Sequence, residues 1–210
     1  MVLGQREMFN GLIKEIATVK SYENNILTLR AKHRPNLGAS IAVNGACLSV
    51  IKLFDDGFSL ELSFESRRNL AVENFKGRVH IEPAMRLMDA VDGHLIQGHI
   101  DGIATIRKVA KVENGTDFYL ELPKELMPLM ANKGSVGVDG VSLTINEVID
   151  SLSQIRLTII PITLKETLFG EYKVGRRANI ESDLLARYVE RVAKYKENSW
   201  QKIDQILATY

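Results

Sequence analysis

Two stretches of this chain are versions of one another. Residues 40–50 read SIAVNGACLSV and residues 135–145 read SVGVDGVSLTI, an offset of 95 residues. Other pairs keep a similar offset: GLIKEIATV (11–19) with GHIDGIATI (98–106), and HIE (80–82) with NIE (179–181). Such a period is too long for a solenoid unit of ~20–50 residues. It is the length of a small domain, and each copy is long enough to bury a core of its own. The 210 residues are therefore expected to form two similar domains with two similar pockets. Positions where the copies differ become candidates for function. The divisions this implies are an N-terminal extension (1–7), a first repeat (8–94), a second repeat (95–183) and a C-terminal helix (184–210).

Composition excludes several classes. A net charge of +1 leaves no electrostatic footprint for nucleic acid or an anionic membrane. Apolar residues make up 45% and charged residues 25%, as in ordinary globular domains. No apolar run approaches the ~18 residues of a membrane span. The N-terminus, MVLGQREMFNG, lacks the basic and apolar regions of a secretory signal. The single cysteine, Cys47, excludes an internal disulfide framework, and a reducing cytoplasm is the expected location.

The body reads as short strands that alternate apolar with polar residues. LIKEIATVKSY, NILTLRA, SIAVNGACLSVIKL, GFSLELSF and RVHIEPA fall in the first half. GIATIRKVA, DFYLELP, SVGVDGVSLTINEV, IRLTIIPITL and RANIE fall in the second. NG, DG and DDG punctuate them, which predicts an all-β chain with a small barrel in each half. Short helices are expected near Ser66–Leu70 and Lys124–Met130. Pro161 removes a ladder donor, so its strand is expected at an edge or with a bulge. From Leu184 to Tyr210 the pattern turns helical, with Ser182 or Asp183 as N-cap. Its apolar stripe is Leu185, Tyr188, Val189, Val192, Ile203, Ile206 and Leu207, which either folds back on the barrels or meets copies of itself.

VNGACLSV and VDGVSLTI each put a small nucleophile-type residue two positions after a turn glycine. Cys47 and Ser142 hold the matched place, with Ser49 and Thr144 two residues on. On a strand that spacing keeps both side chains on one face. Either each barrel presents a reactive pair, or the hydroxyls cap their own turns. Cys47 needs a nearby cation or helix end to be reactive, since an ordinary thiol is mostly protonated at neutral pH. His94 and His99 stand five apart in DGHLIQGHID, which on a strand sends them to opposite faces and makes them a poor chelating pair. His99 replaces Leu12 of the first copy and is the better functional candidate. Asp183 is either the cap of the last helix or a proton acceptor. Lys133 either contacts a ligand or solubilises a loop. No dinucleotide fingerprint, P-loop, cysteine cluster or G-x-S-x-G elbow is present.

MFNG (8–11), SIAVNGACLSV, DGHLIQGHIDG (92–102), KGSVGVDGVSLTINEV (133–148), IPITL (160–164) and NIESDLLARYVER (179–191) together resemble riboflavin synthase of the alpha-chain type, built from two lumazine-binding repeats. The resemblance spans residues 8 to 192. It implies tandem six-stranded Greek-key barrels and a homotrimer cored by the C-terminal helices. It implies a dismutation in which two molecules of 6,7-dimethyl-8-ribityllumazine exchange a four-carbon unit, giving riboflavin and 5-amino-6-ribitylaminouracil. No cofactor or metal is implied; association with lumazine synthase is. The site would lie between the first barrel of one subunit and the second barrel of its neighbour.

By motif position, Cys47, His99, Ser142 and Asp183 would serve proton transfer and adduct stabilisation. Substrate contacts would come from Leu48 and Ser49 in the first barrel, from the strand segment Glu61, Leu62, Ser63, Phe64, Glu65 and Ser66, and from a lining element at Gly98 and Ile100. Phe9, Gly11, Leu12 and Ile13 would line a pocket too. Leu143 and Thr144 would add contacts in the second barrel, and Lys133, Ile160, Pro161, Ile162, Thr163, Leu164 and Lys165 would complete the ligand-binding set. The chain departs from the family at Ser49, where threonine is usual, at ESRRNL (65–70) and at Ile162, where a polar residue is common. It also carries seven residues before MFNG, where family members usually begin. The competing reading is a non-catalytic lumazine or flavin carrier on the same fold. A nucleic-acid barrel would need a basic, aromatic groove that this composition lacks.

Overall fold

The computed structural model describes residues 8–62 and 68–207, with side chains to residue 196. Strands β1 (Glu15–Glu23), β2 (Ile26–Arg30), β3 (Ser40–Val43), β4 (Ala46–Phe54), β5 (Gly57–Glu61) and β6 (Arg78–Pro83) close an antiparallel barrel in the order β1-β2-β5-β4-β3-β6. The second repeat supplies β7 (Gly102–Val112), β8 (Gly115–Glu121), β9 (Ser135–Val138), β10 (Val141–Thr144), β11 (Glu147–Ile149), β12 (Gln154–Ile159) and β13 (Arg177–Ser182). Their order is β10-β9-β13-β7-β8-β12-β11.

The ends of that second sheet are consecutive pieces of chain, separated only by Ile145 and Asn146. Ile145 bonds to the β9 side, its N–H donating to Gly134 O (2.9 Å) and its carbonyl accepting from Lys133 N (2.7 Å). Asn146 N–H turns to the β12 side and donates to Arg156 O at 2.9 Å. The chain itself thus closes the second barrel. In the first repeat Val50 makes the matching bonds to Ala39 and Gly38, and the strand stays whole with a register shift between Val50 and Lys52. One bulged strand in the first copy corresponds to a split strand in the second.

Alternation fills both interiors. Leu27, Leu29, Phe58, Leu60, Val79 and Ile81 pack the first barrel, and Ile106, Phe118, Leu120, Leu157 and Ile180 the second. A small third cluster of Phe9, Ala42 and Ile96 lies between them. The turns Asn44-Gly45 and Asp139-Gly140 meet back to back, where a Cβ on Gly45 would lie 2.7 Å from Gly140 N. Around them His80 Nδ1–H donates to Asp139 O (2.9 Å) while Nε2 accepts from Leu168 N–H (2.7 Å). Asn179 does the same in mirror fashion, Nδ2 donating to Asn44 O and Oδ1 accepting from Ala71 N–H, both at 2.8 Å.

Three sequence expectations change. IRLTIIPITL is not one strand: β12 ends at Ile159 and Pro161 opens helix α1 (Pro161–Glu166). At the first helical position the missing N–H is unneeded and the fixed φ is already suitable. DGHLIQGHID is not a strand either; beyond one bridge between Ile96 and Phe9 it runs as an irregular arm, so the opposite-faces argument for its histidines does not apply. The helix expected at Lys124–Met130 is a 3-10 turn over Lys124–Leu129. Helix α2 (Leu184–Leu207) begins where expected, capped by Asp183, whose Oδ1 accepts from Leu185 N–H at 2.8 Å. Its apolar residues Leu185, Tyr188, Val189, Val192 and Tyr195 stand 55–72% exposed, so this part of the stripe does not fold back on the barrels.

Candidate functional site

The outward faces of β4 and β10 carry the candidate residues. In β4, Ala46, Leu48 and Val50 point inward, leaving Cys47 half-buried and Ser49 exposed. In β10, Ser142 is half-buried and Thr144 exposed. Each face is covered by an arm from the other repeat. The arm leading into β1 crosses to the second barrel, where Ser142 N–H donates to Gly11 O at 2.8 Å. The arm leading into β7 crosses to the first, where Cys47 N–H donates to Gly98 O at 2.9 Å. Where the arms pass, Phe9 and Ile96 exchange backbone bonds of 2.7 and 3.0 Å.

Glycine is required at both contacts. Gly11 and Gly98 have φ of +75° and +76°, and an added Cβ would lie 2.6 Å from Ser142 Cβ or 2.5 Å from Cys47 Cβ. A buried carboxylate holds each arm from behind. Glu82 accepts from Asn10 N–H (2.7 Å) and Gly11 N–H (3.0 Å). Glu181 accepts from Gln97 N–H (2.7 Å) and Gly98 N–H (2.9 Å). Burial pushes each carboxyl up to about 7, against the opposing pull of the donated amides.

The second pocket is a cavity of about 300 Å³ lined by Gly11, Leu12, Ile13 and Lys14 of the arm, Val141 and Ser142 of β10, and Thr163, Glu166 and Thr167 of α1 and its end. The Ser142 hydroxyl lies 2.7 Å from His94 Nδ1. Burial lowers the His94 imidazole below its ordinary value, opposed by the charge of Asp183, so the ring is neutral at pH 7. Its Nε2 is buried with no partner among the described residues. A neutral imidazole on a hydroxyl is an arrangement suited to proton transfer.

In the first pocket Gly98, His99 and Ile100 run beside Cys47, and Glu61 pairs with Ser49 across β4 and β5. Leu62 is buried, while Ser63, Phe64, Glu65 and Ser66 lie outside the described residues. Several predicted contacts sit elsewhere than a pocket wall. Phe9 is fully buried between the repeats, and Leu48 belongs to the barrel core. Leu143 and Leu164 pack against the second core. Lys133 is exposed beside the end of β10, and Ile160, Pro161, Ile162 and Lys165 are exposed on α1 or just before it. His99 is exposed and offers its carbonyl to Arg187 Nη2 at 3.1 Å.

Sequence reasoning preferred His99 and missed His94, the histidine that reaches Ser142. It also missed Glu82 and Glu181. Their signal was present: a carboxylate kept in both copies, HIE and NIE, inside strands that are otherwise buried.

The sequence pattern of the lumazine binding domain matches residues 10–84 and 97–183. The chain is 32% identical to the riboflavin synthase of Photobacterium leiognathi over 95% of both chains. It is 36% identical to that of Brucella abortus, covering 90% of this chain and 100% of the relative. Among solved structures, LumP complexed with 6,7-dimethyl-8-(1'-D-ribityl)lumazine superposes with a TM-score of 0.73 at 19% identity, covering 83% of this chain and 98% of that one. LumP with riboflavin gives 0.73 at 20% identity over the same shares.

Proposed function

The chain belongs to the riboflavin synthase family, with two lumazine binding domains, and from that premise we propose that it makes riboflavin by dismutating 6,7-dimethyl-8-ribityllumazine. It is a transferase-type enzyme that binds a small pteridine. In the proposed reaction one lumazine gives up a four-carbon unit to a second and leaves as 5-amino-6-ribitylaminouracil. The observation that carries this reading is the reciprocal construction: two equivalent outward strand faces, each covered by the arm of the other repeat. Two identical substrates call for two similar receptacles. Holding reactants in register accounts for ~7–11 kcal/mol of a barrier, more than the ~3–5 kcal/mol of one general acid or base.

Cys47, Ser49 and His99 would act in the first pocket, and Ser142 and Thr144 in the second. Neutral His94 is suited to accept the Ser142 proton, and Asp183 would act on His94 through its charge. The exposed stripe of α2 supports a homotrimer built on that helix, bringing the first pocket of one copy against the second pocket of another. Among the described residues no helix is long and apolar enough to cross a membrane. A cytoplasmic location and association with lumazine synthase complete the proposal.

Incubating the purified protein with the lumazine tests it. Riboflavin absorbance should grow in with turnover. Stoichiometric binding without product would favour a carrier, as the likeness to LumP allows. Cys47→Ser and His99→Ala should lower turnover far more than binding, and wild-type kinetics in both would remove them from the mechanism. Truncation after Arg191 should give monomers with little activity; a truncated but fully active trimer would contradict the shared site.

A further inference from the structure

Glu82 and Glu181 contact no candidate reacting group, yet the same arrangement is built around each. Both are 3% exposed, on strands β6 and β13 whose neighbours are buried and largely apolar. A side chain serving only to pack such a strand would be apolar, because burying a carboxyl is unfavourable unless its oxygens are satisfied. Here both oxygens are satisfied by consecutive amides of an arm: Asn10 and Gly11 for Glu82, Gln97 and Gly98 for Glu181. The next group along each arm reaches the opposite repeat. Gly11 O accepts from Ser142 N–H, and Gly98 O accepts from Cys47 N–H. The carboxylate, two peptide units and the candidate residue form one continuous hydrogen-bonded chain, and it occurs twice.

We propose that Glu82 and Glu181 are positioning residues for the two lumazine pockets, and that they act crosswise. Glu82, in the first repeat, sets the wall of the Ser142 pocket. Glu181, in the second, sets the wall of the Cys47 pocket. The charged surroundings differ: Glu82 faces Lys14, while Glu181 faces Asp101 and has Arg187 3.6 Å away. The duty is nevertheless the same, since the amides are matched atom for atom. A glycine held at positive φ has few side-chain contacts to fix it, so an external clamp decides where its carbonyl points. The inference rests on the function proposed above, which assigns a lumazine to each pocket.

Glu82→Gln and Glu181→Gln test it. Each keeps the shape of the side chain but turns an NH₂ group toward a backbone N–H. Two readouts distinguish the pockets in the full-length protein: a fluorescence titration with 6,7-dimethyl-8-ribityllumazine, which counts binding classes, and protection by that ligand of Cys47, the only cysteine, from iodoacetamide. Glu181→Gln should weaken one class by about tenfold or more and lose the protection of Cys47. Glu82→Gln should weaken the other class to a similar extent and keep that protection. The untouched class in each variant reports an intact fold. Loss of both classes together, loss of Cys47 protection in Glu82→Gln, or wild-type binding in both variants would overturn crosswise positioning. Wild-type protein that takes up no lumazine would instead overturn the proposed function, and the same titration reads that first.

Discussion

The two repeats fill the same hydrogen-bonding positions with different chemistry. At the turn crossing, His80 of the first copy and Asn179 of the second each donate to the opposite turn, and each accepts from a 3-10 segment of the opposite repeat: His80 from Leu168–Glu171, Asn179 from Ala71, which caps Val72–Asn74. Imidazole and carboxamide are interchangeable there because both present a donor and an acceptor on one rigid plane. The turns themselves are not equivalent. Asp139 is fully buried and accepts from Tyr172 Oη (2.5 Å), Arg176 Nη2 (3.2 Å) and Asn179 N–H (2.8 Å). Its counterpart Asn44 accepts only from His80 N–H through its side-chain oxygen, and its Nδ2 has no partner among the described residues. Phe75 follows the first copy's 3-10 turn where Tyr172 follows the second's, so the hydroxyl that would meet a charge is missing where the charge is missing. Duplication preserved where donors and acceptors point; charge was concentrated on one side.

That contrast orders the expected effects. Asp139→Ala should lose the most stability, about 3–5 kcal/mol, because it strands a half-buried guanidinium, a buried phenol and a buried amide. Asn44→Ala should lose about 1–3 kcal/mol, the cost of one unsatisfied amide. Urea unfolding measures both, and equal losses would break the comparison. Gly11→Ala and Gly98→Ala should cost about 1–3 kcal/mol each from forced positive φ alone. Here the copies should agree, since both Cβ atoms would collide with the opposite repeat. A harmless substitution at one site only would disprove the equivalence of the arms.

A smaller effect separates His80 from Asn179 by pH. Burial lowers the His80 imidazole below its usual 6.5, and the proton arrangement in the fold requires the neutral ring. An unfolded chain takes up that proton first, so this contribution is present above about 6.5 and lost as pH falls, with a slope of at most ~1.4 kcal/mol per pH unit. Glu82 and Glu181 work the other way. Their folded values of about 7 exceed the usual 4.5, so their contribution is present below 4.5 and lost as pH rises toward 7. The difference between wild type and His80→Asn cancels them. On acidification wild type should lose stability relative to His80→Asn; a flat difference would mean that His80 is not held neutral.

Much of this was legible in the sequence, for identifiable reasons. The matched VNGACLSV and VDGVSLTI segments carry strand alternation and turn chemistry locally, so the barrels and the outward faces of Cys47 and Ser142 could be read directly. Asp183 as cap was readable because capping is local too. Pro161 was misassigned because the same missing N–H suits a bulged strand and a helix start, and only the following packing decides between them. His94 was set aside by a periodicity that holds on strands, whereas its segment is an arm shaped by contacts with the other repeat. The crossing of the arms depends on pairs such as Gly11 with Ser142 and Gly98 with Cys47, far apart in sequence, and no local pattern encodes them.

The most direct measurement is the number of riboflavin molecules that one chain holds at saturation, by equilibrium dialysis. Two per chain, one of them shielding Cys47 from alkylation, is the result that reciprocal pockets require. Saturation at one per chain would mean that only one repeat forms a receptacle, and the exchange of arms would then have no bearing on function.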